Sequence, residues 1–205
     1  MKGILIVFEG IDGCGKTTQL KLARKFFVEK GIPPRQIVST KEPTNGVYGR
    51  KAKALQKKDI DPKTNALKCL ELYVKDRREH LRKKIIPALR SGKIVLCDRF
   101  KYSTLAYQSA QGISEKKIVS MHKGMRAPDI VLVFDLPVSK ALNRIKSSRK
   151  SNLQKFEKKK FLEEVRKKFL QMKTFFPGEN TRFVDAGGSI QETFKEVRKK
   201  IQAAM

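Results

Sequence analysis

The feature that most constrains this chain is a glycine-rich loop set between an apolar run and a helical pattern. Residues 10–17 read GIDGCGKT and match G-x4-G-K-[ST] at every fixed position. Gly10, Gly13 and Gly15 let the backbone turn tightly, so that its N–H groups point at a bound phosphate. The ILIVF run before the loop predicts a buried strand, and the helix after it adds the positive end of its dipole to the same site. The sequence therefore predicts a P-loop that binds a nucleotide.

Individual residues of the loop have separate expected roles. Lys16 is expected to reach the β- and γ-phosphates of ATP, and Thr17 offers a hydroxyl to Mg²⁺. Cys14 lies at a helix N-terminus, where the pKa of a thiol falls, but a small residue in a crowded loop explains it better than a redox role. The motif assigns to ATP the residues Gly10, Gly13, Cys14, Gly15, Lys16, Thr17 and Thr18.

Apolar, β-branched runs alternate with helical patterns along the chain. Near-continuous apolar character predicts strands buried on both faces, as in a parallel sheet covered by helices. We therefore expect an α/β fold, a three-layer P-loop sandwich with a five-stranded parallel sheet and helices on both faces, in one domain over residues 1–205. Ligands of such folds bind at the carboxyl ends of the strands. The predicted strands are 4–8, 36–39, 94–97, 130–134 and 182–184, and the predicted helices are 17–30, 65–89, 139–146, 159–173 and 189–203.

The net charge is unusual, because 47 Lys and Arg face 20 Asp and Glu and give a formal charge of +27. Three explanations stay open. Such a charge suits nucleic-acid binding, since cations neutralise phosphates. It also suits the attraction of small anionic substrates, and a lysine-rich surface can simply keep a protein in solution. Nucleic-acid binding is thus an alternative that the charge allows and does not favour.

Cysteine usage and hydropathy indicate the compartment. Cys14, Cys69 and Cys97 are odd in number and widely spaced, which argues against a disulfide framework or a zinc site. No apolar run approaches the length that spans a bilayer, and the short N-terminal run leads straight into the P-loop, unlike a signal peptide. We expect a soluble, cytoplasmic protein with no membrane partner.

A basic segment stands apart at residues 140–173, where thirteen Lys or Arg face three Glu. Its middle, SSRKSNLQKFEKKK, interrupts the helical pattern with small and polar residues. One interpretation is a solvated surface helix-loop-helix, and the other is a basic flap that closes over phosphates. Because the segment follows the strand-like VLVFD run, we favour the flap and predict a mobile lid at about 147–158.

A P-loop alone does not separate kinases from other nucleotide-binding proteins. A GTPase would need a guanine-reading N-K-x-D, which the sequence lacks, and a helicase-type motor usually needs a longer chain. Further motifs narrow the class. They are STKEPT at 39–44, LELYVKDRREH at 70–80, DRF at 98–100 and YSTLAYQ at 102–108.

Together with the P-loop, these motifs resemble the thymidylate kinase family of nucleoside monophosphate kinases, from residue 3 to about residue 186. The combination is far more specific than any one motif. The resemblance implies phosphorylation of dTMP to dTDP by ATP and Mg²⁺, for deoxynucleotide biosynthesis, in a homodimer packed through helices. No general acid or base is obviously required, because phosphoryl transfer depends mainly on positioning and charge neutralisation.

The resemblance also assigns an acceptor pocket. Tyr73 and Arg77 are four residues apart and share a helix face; the tyrosine is expected to stack on thymine and the arginine to bond the base edge. Thr104 and Gln108 would complete base recognition, and Tyr107 would lie near the sugar, where it disfavours a ribose 2′-hydroxyl. The implied acceptor set is Asp12, Lys41, Pro43, Tyr73, Arg77, Arg99, Ser103, Thr104, Tyr107 and Gln108.

Charged residues are expected where the two substrates meet. Asp12 matches an acidic position that contacts the acceptor sugar and helps to set the metal site, while Lys41 and Arg99 would clamp the acceptor phosphate. Asp98 is expected to orient that arginine or the water shell of Mg²⁺, although Asp135 competes with it as the acidic end of a strand. The metal-binding residues implied are Thr17 and Asp98.

Two departures from the family pattern affect the cations. Lys41 stands where many members carry arginine, so a point charge replaces a two-pronged contact. Gly13 stands where one branch carries a catalytic arginine, and such members rely on basic lid residues. Arg149, Lys150 and Lys155 supply them here, with Arg149 expected first to meet the transferring phosphate. The implied catalytic set is Asp12, Lys16, Arg99, Arg149 and Lys155.

Three other residues and three rival functions complete the sequence-based expectations. Arg144, just before the lid, resembles a position that stacks on adenine, whereas His80 and His122 are expected to be ordinary surface residues. The rivals are a kinase for another nucleoside monophosphate, a P-loop nucleic-acid-binding ATPase, and a kinase-like remnant used as a binding module. The intact Lys16 and Arg99 argue against the last of these.

Overall fold

A parallel sheet forms the centre of the molecule. The computed structural model describes residues 3–58, 63–148 and 159–205. The five strands lie in the order β2-β3-β1-β4-β5, and every neighbouring pair is parallel, which confirms the predicted α/β fold. The strands are β1 Ile4–Gly10, β2 Ile37–Lys41, β3 Ile94–Asp98, β4 Ile130–Asp135 and β5 Thr181–Asp185.

The central strand, β1, shows why the sheet forms from these residues. Leu5, Ile6, Val7 and Phe8 have no exposed surface, so both faces of the strand are covered, as its unbroken apolar run predicts. Phe8 pairs with Asp98 of β3. The carboxyl ends of β1 and β3 therefore meet at the same edge of the sheet, and the loops that follow them lie side by side.

Helices flank the sheet. Helix α1 packs against α10, and α5 packs against α8. The helices are α1 Lys16–Glu29, α2 Val47–Lys58, α3 Ala66–His80, α4 Ile86–Arg90, α5 Lys101–Ala110, α6 Glu115–Met121, α7 Val138–Ser148, α8 Lys159–Leu170, α9 Met172–Phe175 and α10 Ile190–Gln202. None of these described helices combines the length and the apolar character needed to cross a membrane.

Two predicted helices are wrong as single elements. The segment predicted as 65–89 consists of α3, a π-helical segment Leu81–Ile85 and α4. Pro87 lies just beyond the π-helical segment, and because its nitrogen cannot donate, an unbroken α-helical ladder is excluded there. The segment predicted as 159–173 is interrupted at Gln171 and continues as the short α9.

Helix α10 begins with a capping box formed by Ser189 and Glu192. The Ser189 hydroxyl accepts from the Glu192 backbone N–H over 3.2 Å, and the Glu192 carboxylate accepts from the Ser189 N–H over 2.8 Å. This capping box satisfies two backbone donors of the first turn and stabilises the helix end by about 1 kcal/mol. Helix α10 packs beside α1, the helix that follows the P-loop.

Candidate active site

The P-loop runs from the end of β1 at Gly10 to the start of α1 at Lys16. Gly13 has φ +80°, and a Cβ on it would lie 2.5 Å from the carbonyl oxygen of Ala141. A Cβ on Gly10, at φ +139°, would lie 2.6 Å from the carbonyl oxygen of Phe134. Both positions thus require glycine for conformation and for space. An arginine at position 13 does not fit this loop.

A donor cavity opens around the loop and brings most of the predicted ATP-binding residues together. Its lining includes residues 12–19 and Arg144, which lies across from the loop on α7. Arg144 Nη2 donates to the Ala186 carbonyl over 3.0 Å. Lys16 Nζ donates to the carbonyl oxygens of Gly10, at 3.0 Å, and Ile11, at 2.8 Å, so the cation is held within the turn. Gly10 itself forms the base of the turn and does not line the cavity.

Strands β3 and β4 each end in an aspartate, and the two aspartates have different partners. Asp98, at the end of β3, accepts from the Thr17 hydroxyl over 2.7 Å. Asp135, at the end of β4, accepts from Arg166 Nε at 2.6 Å and from Arg166 Nη2 at 2.9 Å. The structure therefore pairs Asp98 with the P-loop threonine and engages both oxygens of Asp135 in a salt bridge. The expectation that Asp98 orients Arg99 or the water shell of Mg²⁺ stays a prediction.

A second cavity, of about 230 Å³, lies beside the donor cavity. We call it the acceptor cavity, and it collects nine of the ten residues predicted for the acceptor. The exception is Lys41, which borders a neighbouring groove together with Thr17 and Asp98. The described residues that line the acceptor cavity are Asp12, Glu42, Pro43, Gln56, Tyr73, Asp76, Arg77, Arg99, Phe100, Ser103, Thr104, Tyr107 and Gln108.

Arg99 and Asp12 line both cavities. Arg99 Nη2 donates to Asp12 Oδ1 over 2.7 Å, and Arg99 Nη1 donates to the Ser103 hydroxyl over 2.8 Å. Burial alone would raise the pKa of Asp12, but the charges of Arg99 and Lys16 outweigh it and hold that pKa well below its usual range. Arg99 has φ +69°, a left-handed conformation that is uncommon for a side chain of this size. This backbone turn directs the residue back from the end of β3 toward the P-loop.

Glu9 is a site residue that the sequence analysis missed. It is fully buried on β1 and accepts from the Phe100 N–H at 2.6 Å, the Ser103 N–H at 3.1 Å and the Ser103 hydroxyl at 2.5 Å. Burial raises the pKa of this carboxyl from 4.5 to about 7. Because Ser103 also accepts from Arg99, Glu9 orients the arginine through one intervening hydroxyl. A glutamate inside an otherwise apolar strand was the available signal.

The base-reading candidate Arg77 is buried and held from three sides. Its Nε donates to Glu42 Oε2 at 2.6 Å, Nη1 lies 2.6 Å from His122 Nε2, and Nη2 donates to the Thr104 hydroxyl at 3.0 Å. His80 Nδ1 donates to the second Glu42 oxygen over 2.9 Å. The expectation that His80 and His122 are surface residues is therefore wrong, since they are 6% and 3% exposed. Both belong to the buried network around the arginine.

Other predicted acceptor residues have these positions. Tyr73 is 9% exposed on α3, one turn before Arg77, so the two share the cavity wall. Gln108 Nε2 donates to Gln111 Oε1 over 2.7 Å. Asp76, not predicted, accepts from the Thr44 N–H at 2.7 Å and from its hydroxyl at 2.6 Å. Asp76 thereby holds the loop after β2 against α3.

The remaining predictions concern the lid. Arg149, Lys150 and Lys155, with residues 149–158 of the predicted lid, lie outside the described residues. The described parts on either side are α7, which ends at Ser148, and α8, which begins at Lys159. The roles of Arg149, Lys150 and Lys155 stay predictions.

Fold and site together define a class. The donor cavity at the P-loop adjoins the acceptor cavity, which is lined by cations and aromatic groups, and the Arg99–Asp12 salt bridge lies between them. The molecule is therefore a P-loop kinase that brings two phosphorylated substrates together. The chain belongs to the thymidylate kinase family, because the family model described as thymidylate kinase matches residues 8–197.

Individual relatives agree with this family. A probable thymidylate kinase of Pyrococcus abyssi is 37% identical, and the match covers 96% of this chain and 95% of the relative. A thymidylate kinase of Desulfotalea psychrophila is 42% identical over 80% of this chain and 78% of the relative. The crystal structure of a thymidylate kinase from Ehrlichia chaffeensis superposes with a TM-score of 0.77, at 28% identity, over 98% of this chain and all of that one.

Proposed function

We propose that this chain transfers the γ-phosphoryl group of ATP to dTMP, giving ADP and dTDP. The observation that carries the proposal is the pair of joined cavities that share Asp12 and Arg99. One cavity follows the P-loop and suits ATP, while the other is lined by an aromatic ring, an arginine and amide and hydroxyl groups. Family membership and the relatives named as thymidylate kinases support dTMP as the acceptor.

Positioning is the main task of the acceptor cavity. Tyr73 offers a ring on which thymine can stack, and Arg77 offers N–H donors to a carbonyl of the base edge. Arg99, at the junction, would grip the acceptor phosphate while Ser103 and Asp12 keep its guanidinium in place. Holding the acceptor oxygen in line with the γ-phosphate supplies most of the rate increase expected for such a transfer.

Charge neutralisation is the task of the donor cavity. Lys16, which bonds carbonyl oxygens of its own loop in this state, can turn toward the β- and γ-phosphates of ATP. The Thr17 hydroxyl and the Asp98 carboxylate lie together and are the hard oxygen donors that Mg²⁺ prefers, so they fit this ion. Bound there, Mg²⁺ would neutralise charge on the phosphates.

The lid cations extend the proposal. Because Gly13 leaves no room for a loop arginine, another cation must approach the transferring phosphate. We assign this role to one of Arg149, Lys150 and Lys155, Arg149 first, on the basic segment between α7 and α8 in the sequence. Closure of residues 147–158 over the phosphates would also exclude water that hydrolyses ATP.

Assembly and compartment are also part of the proposal. A homodimer is supported by the family resemblance and by apolar side chains on α2 and α3, where Val47 is 50% and Leu67 42% exposed. A cytoplasmic location is supported by Cys14 and Cys97, which are buried and form no disulfide. Light scattering after size exclusion tests the dimer, and a monomer at all concentrations contradicts it.

An ADP-release assay across several acceptors tests the function. We expect dTMP to be preferred over UMP, CMP and AMP, and dUMP is included because it is the acceptor most similar to dTMP. Lys16→Ala should abolish transfer, whereas Lys21→Ala, on the exposed side of the same helix, should not. Preference for AMP or CMP would overturn the acceptor and leave the class intact. ATP turnover stimulated by DNA or RNA, and by no monophosphate, would instead favour a nucleic-acid-dependent ATPase.

A further inference from the structure

Six groups form a continuous hydrogen-bonded chain behind the acceptor cavity. At its centre, Arg77 bonds Glu42 on one side and His122 on the other, over 2.6 Å each. Beyond Glu42, His80 bridges to the Thr40 hydroxyl, with Nε2 at 2.8 Å from Oγ1. Beyond His122, Nδ1 lies 2.7 Å from the carbonyl oxygen of Ile118.

The direction of each bond at His122 follows from its partners. A carbonyl oxygen only accepts, so Nδ1 of His122 carries the proton that is donated to Ile118. A guanidinium only donates, so Nε2 must be the acceptor for Arg77 Nη1. His122 is therefore a neutral imidazole in one defined tautomer. Burial and the charge of Arg77 lower the pKa of His122 from 6.5 to about 3, which agrees with this assignment.

The donors that Arg77 retains can be counted. An arginine side chain has five N–H groups, and Arg77 uses one each for Glu42, His122 and Thr104. With respect to the described residues, one N–H on Nη1 and one on Nη2 remain. The side chain is only 2% exposed and lines the acceptor cavity, so these two donors can serve a ligand there without rearrangement of the guanidinium.

We propose that His122 is a positioning residue that sets base specificity by acting as a neutral acceptor for Arg77. The inference rests on the proposed function. Thymine presents a carbonyl at the edge where cytosine presents an amino group. A guanidinium can donate to the carbonyl, whereas it offers no acceptor to the amino group. That discrimination needs an immobile guanidinium, and His122 holds its Nη1 while Glu42 and Thr104 hold Nε and Nη2.

The chemistry of the position favours histidine over other residues. An aspartate would add a second negative charge beside Glu42, while a lysine would repel Arg77 in a poorly solvated space. The cations that face this imidazole are Arg77, Arg78 and Lys101, so its neutral form is maintained from several elements. An uncharged acceptor leaves the Arg77–Glu42 pair as the only opposite charges in the described chain of bonds.

Steady-state kinetics with dTMP and dCMP test the proposal. His122→Leu should raise the KM for dTMP about tenfold, change kcat little, and lower the dTMP preference in kcat/KM about tenfold, because the buried guanidinium loses an acceptor; tenfold corresponds to about 1.4 kcal/mol. His122→Gln, which keeps an acceptor, should recover most of the preference. Lys117→Gln, on the exposed side of α6, is the matched control.

Two outcomes would overturn the proposal. One is a folded His122→Leu variant with unchanged KM and unchanged preference. The other, which needs no variant, is a nitrogen NMR spectrum of the unaltered protein that shows the Nε2–H tautomer at His122. A wild-type protein that phosphorylates another monophosphate in place of dTMP would defeat the proposed function instead, while the tautomer would still report on the contact.

Discussion

The guanidinium of Arg99 and the carboxylate of Asp12 are joined over 2.7 Å at the point where the donor and acceptor cavities meet. This salt bridge links the end of β3 to the P-loop and keeps a cation where the two phosphates would approach each other. The carboxylate compensates the charge of the arginine. A bound phosphate would offer the same guanidinium a more highly charged partner.

Arg99 variants test the role of that cation. Arg99→Ala should lower kcat by about 10²–10³-fold, the usual cost of removing one charge-stabilising donor from a transfer site. Arg99→Lys should retain part of the activity, because it keeps the charge and loses the two-pronged geometry. The ADP-release assay measures both. Arg82→Ala, at an exposed position, is the control, and equal activity of the alanine variants would contradict the assignment.

Tyr107 should control the choice between deoxyribose and ribose. Its hydroxyl donates to Asp12 Oδ2 over 3.2 Å, at the side of the acceptor cavity near the P-loop. Tyr107→Phe should reduce the preference for dUMP over UMP about fivefold, because the 2′-hydroxyl of UMP gains the space of the tyrosine hydroxyl. A fivefold change corresponds to about 1 kcal/mol, the usual contribution of one hydrogen bond such as that from Tyr107 to Asp12. The two substrates differ only at the 2′ position, so their kcat/KM ratio isolates the effect. Tyr102→Phe, on the same helix, should leave that ratio unchanged.

Glu9 should make stability depend on pH. Its pKa is raised by burial from 4.5 to about 7, so the folded state binds the proton more tightly than the unfolded state. The contribution of the protonated Glu9 to the free energy of unfolding is complete below about pH 4.5 and is lost as pH rises through 7. The whole contribution is about 3 kcal/mol. His122 acts in the opposite sense below pH 6.5. Only the difference between proteins is therefore diagnostic.

Urea unfolding from pH 5 to pH 8 measures that difference. Relative to the wild type, Glu9→Gln should gain stability as pH rises through this range, because the variant has no ionised carboxyl to bury. A difference that stays constant with pH would show that Glu9 does not titrate there. Glu29→Gln, on the exposed end of α1, serves as the surface control.

The P-loop glycines should respond unequally to alanine. Gly13 and Gly15 both have positive φ, and a left-handed alanine costs about 1 kcal/mol at either position. Only at Gly13 would the new Cβ also meet a backbone carbonyl, at 2.5 Å, whereas no described atom lies within 4 Å of a Cβ at Gly15. Gly13→Ala should therefore lower the unfolding midpoint distinctly more than Gly15→Ala in a thermal scan. Equal shifts would contradict the packing of the loop against α7.

The sequence predicts much of this molecule because some signals are local. The apolar run at residues 4–8 predicts a buried strand, and the fixed glycine spacing of residues 10–17 predicts the P-loop; both signals lie within a few neighbouring residues. Helix α2 is not predicted, since VYGRKAKALQKK contains a glycine and five Lys or Arg and resembles a charged loop. Its Gln56 consequently never entered the predicted acceptor set, although it lines the cavity.

Buried polar networks were the main source of error. His80 lies in the charged segment RREHLRKK at 77–84, and His122 precedes Lys123, surroundings that are typical of a solvated position. They are buried because Arg77 and Glu42, brought from different elements, satisfy them. Such burial is a property of tertiary pairing, and no residue pattern along one helix reports it. Lys41 borders the neighbouring groove, and its expected contact with the acceptor phosphate stays a prediction.

The shared wall between the cavities means that the two substrates are not independent ligands. Each would alter the same salt bridge, so occupancy of one cavity changes the free energy of filling the other. Thermodynamic reciprocity then requires ATP to change the affinity for dTMP by the same factor as dTMP changes the affinity for ATP. Affinities measured with one nucleotide alone would therefore differ, by that single factor, from those of the ternary complex.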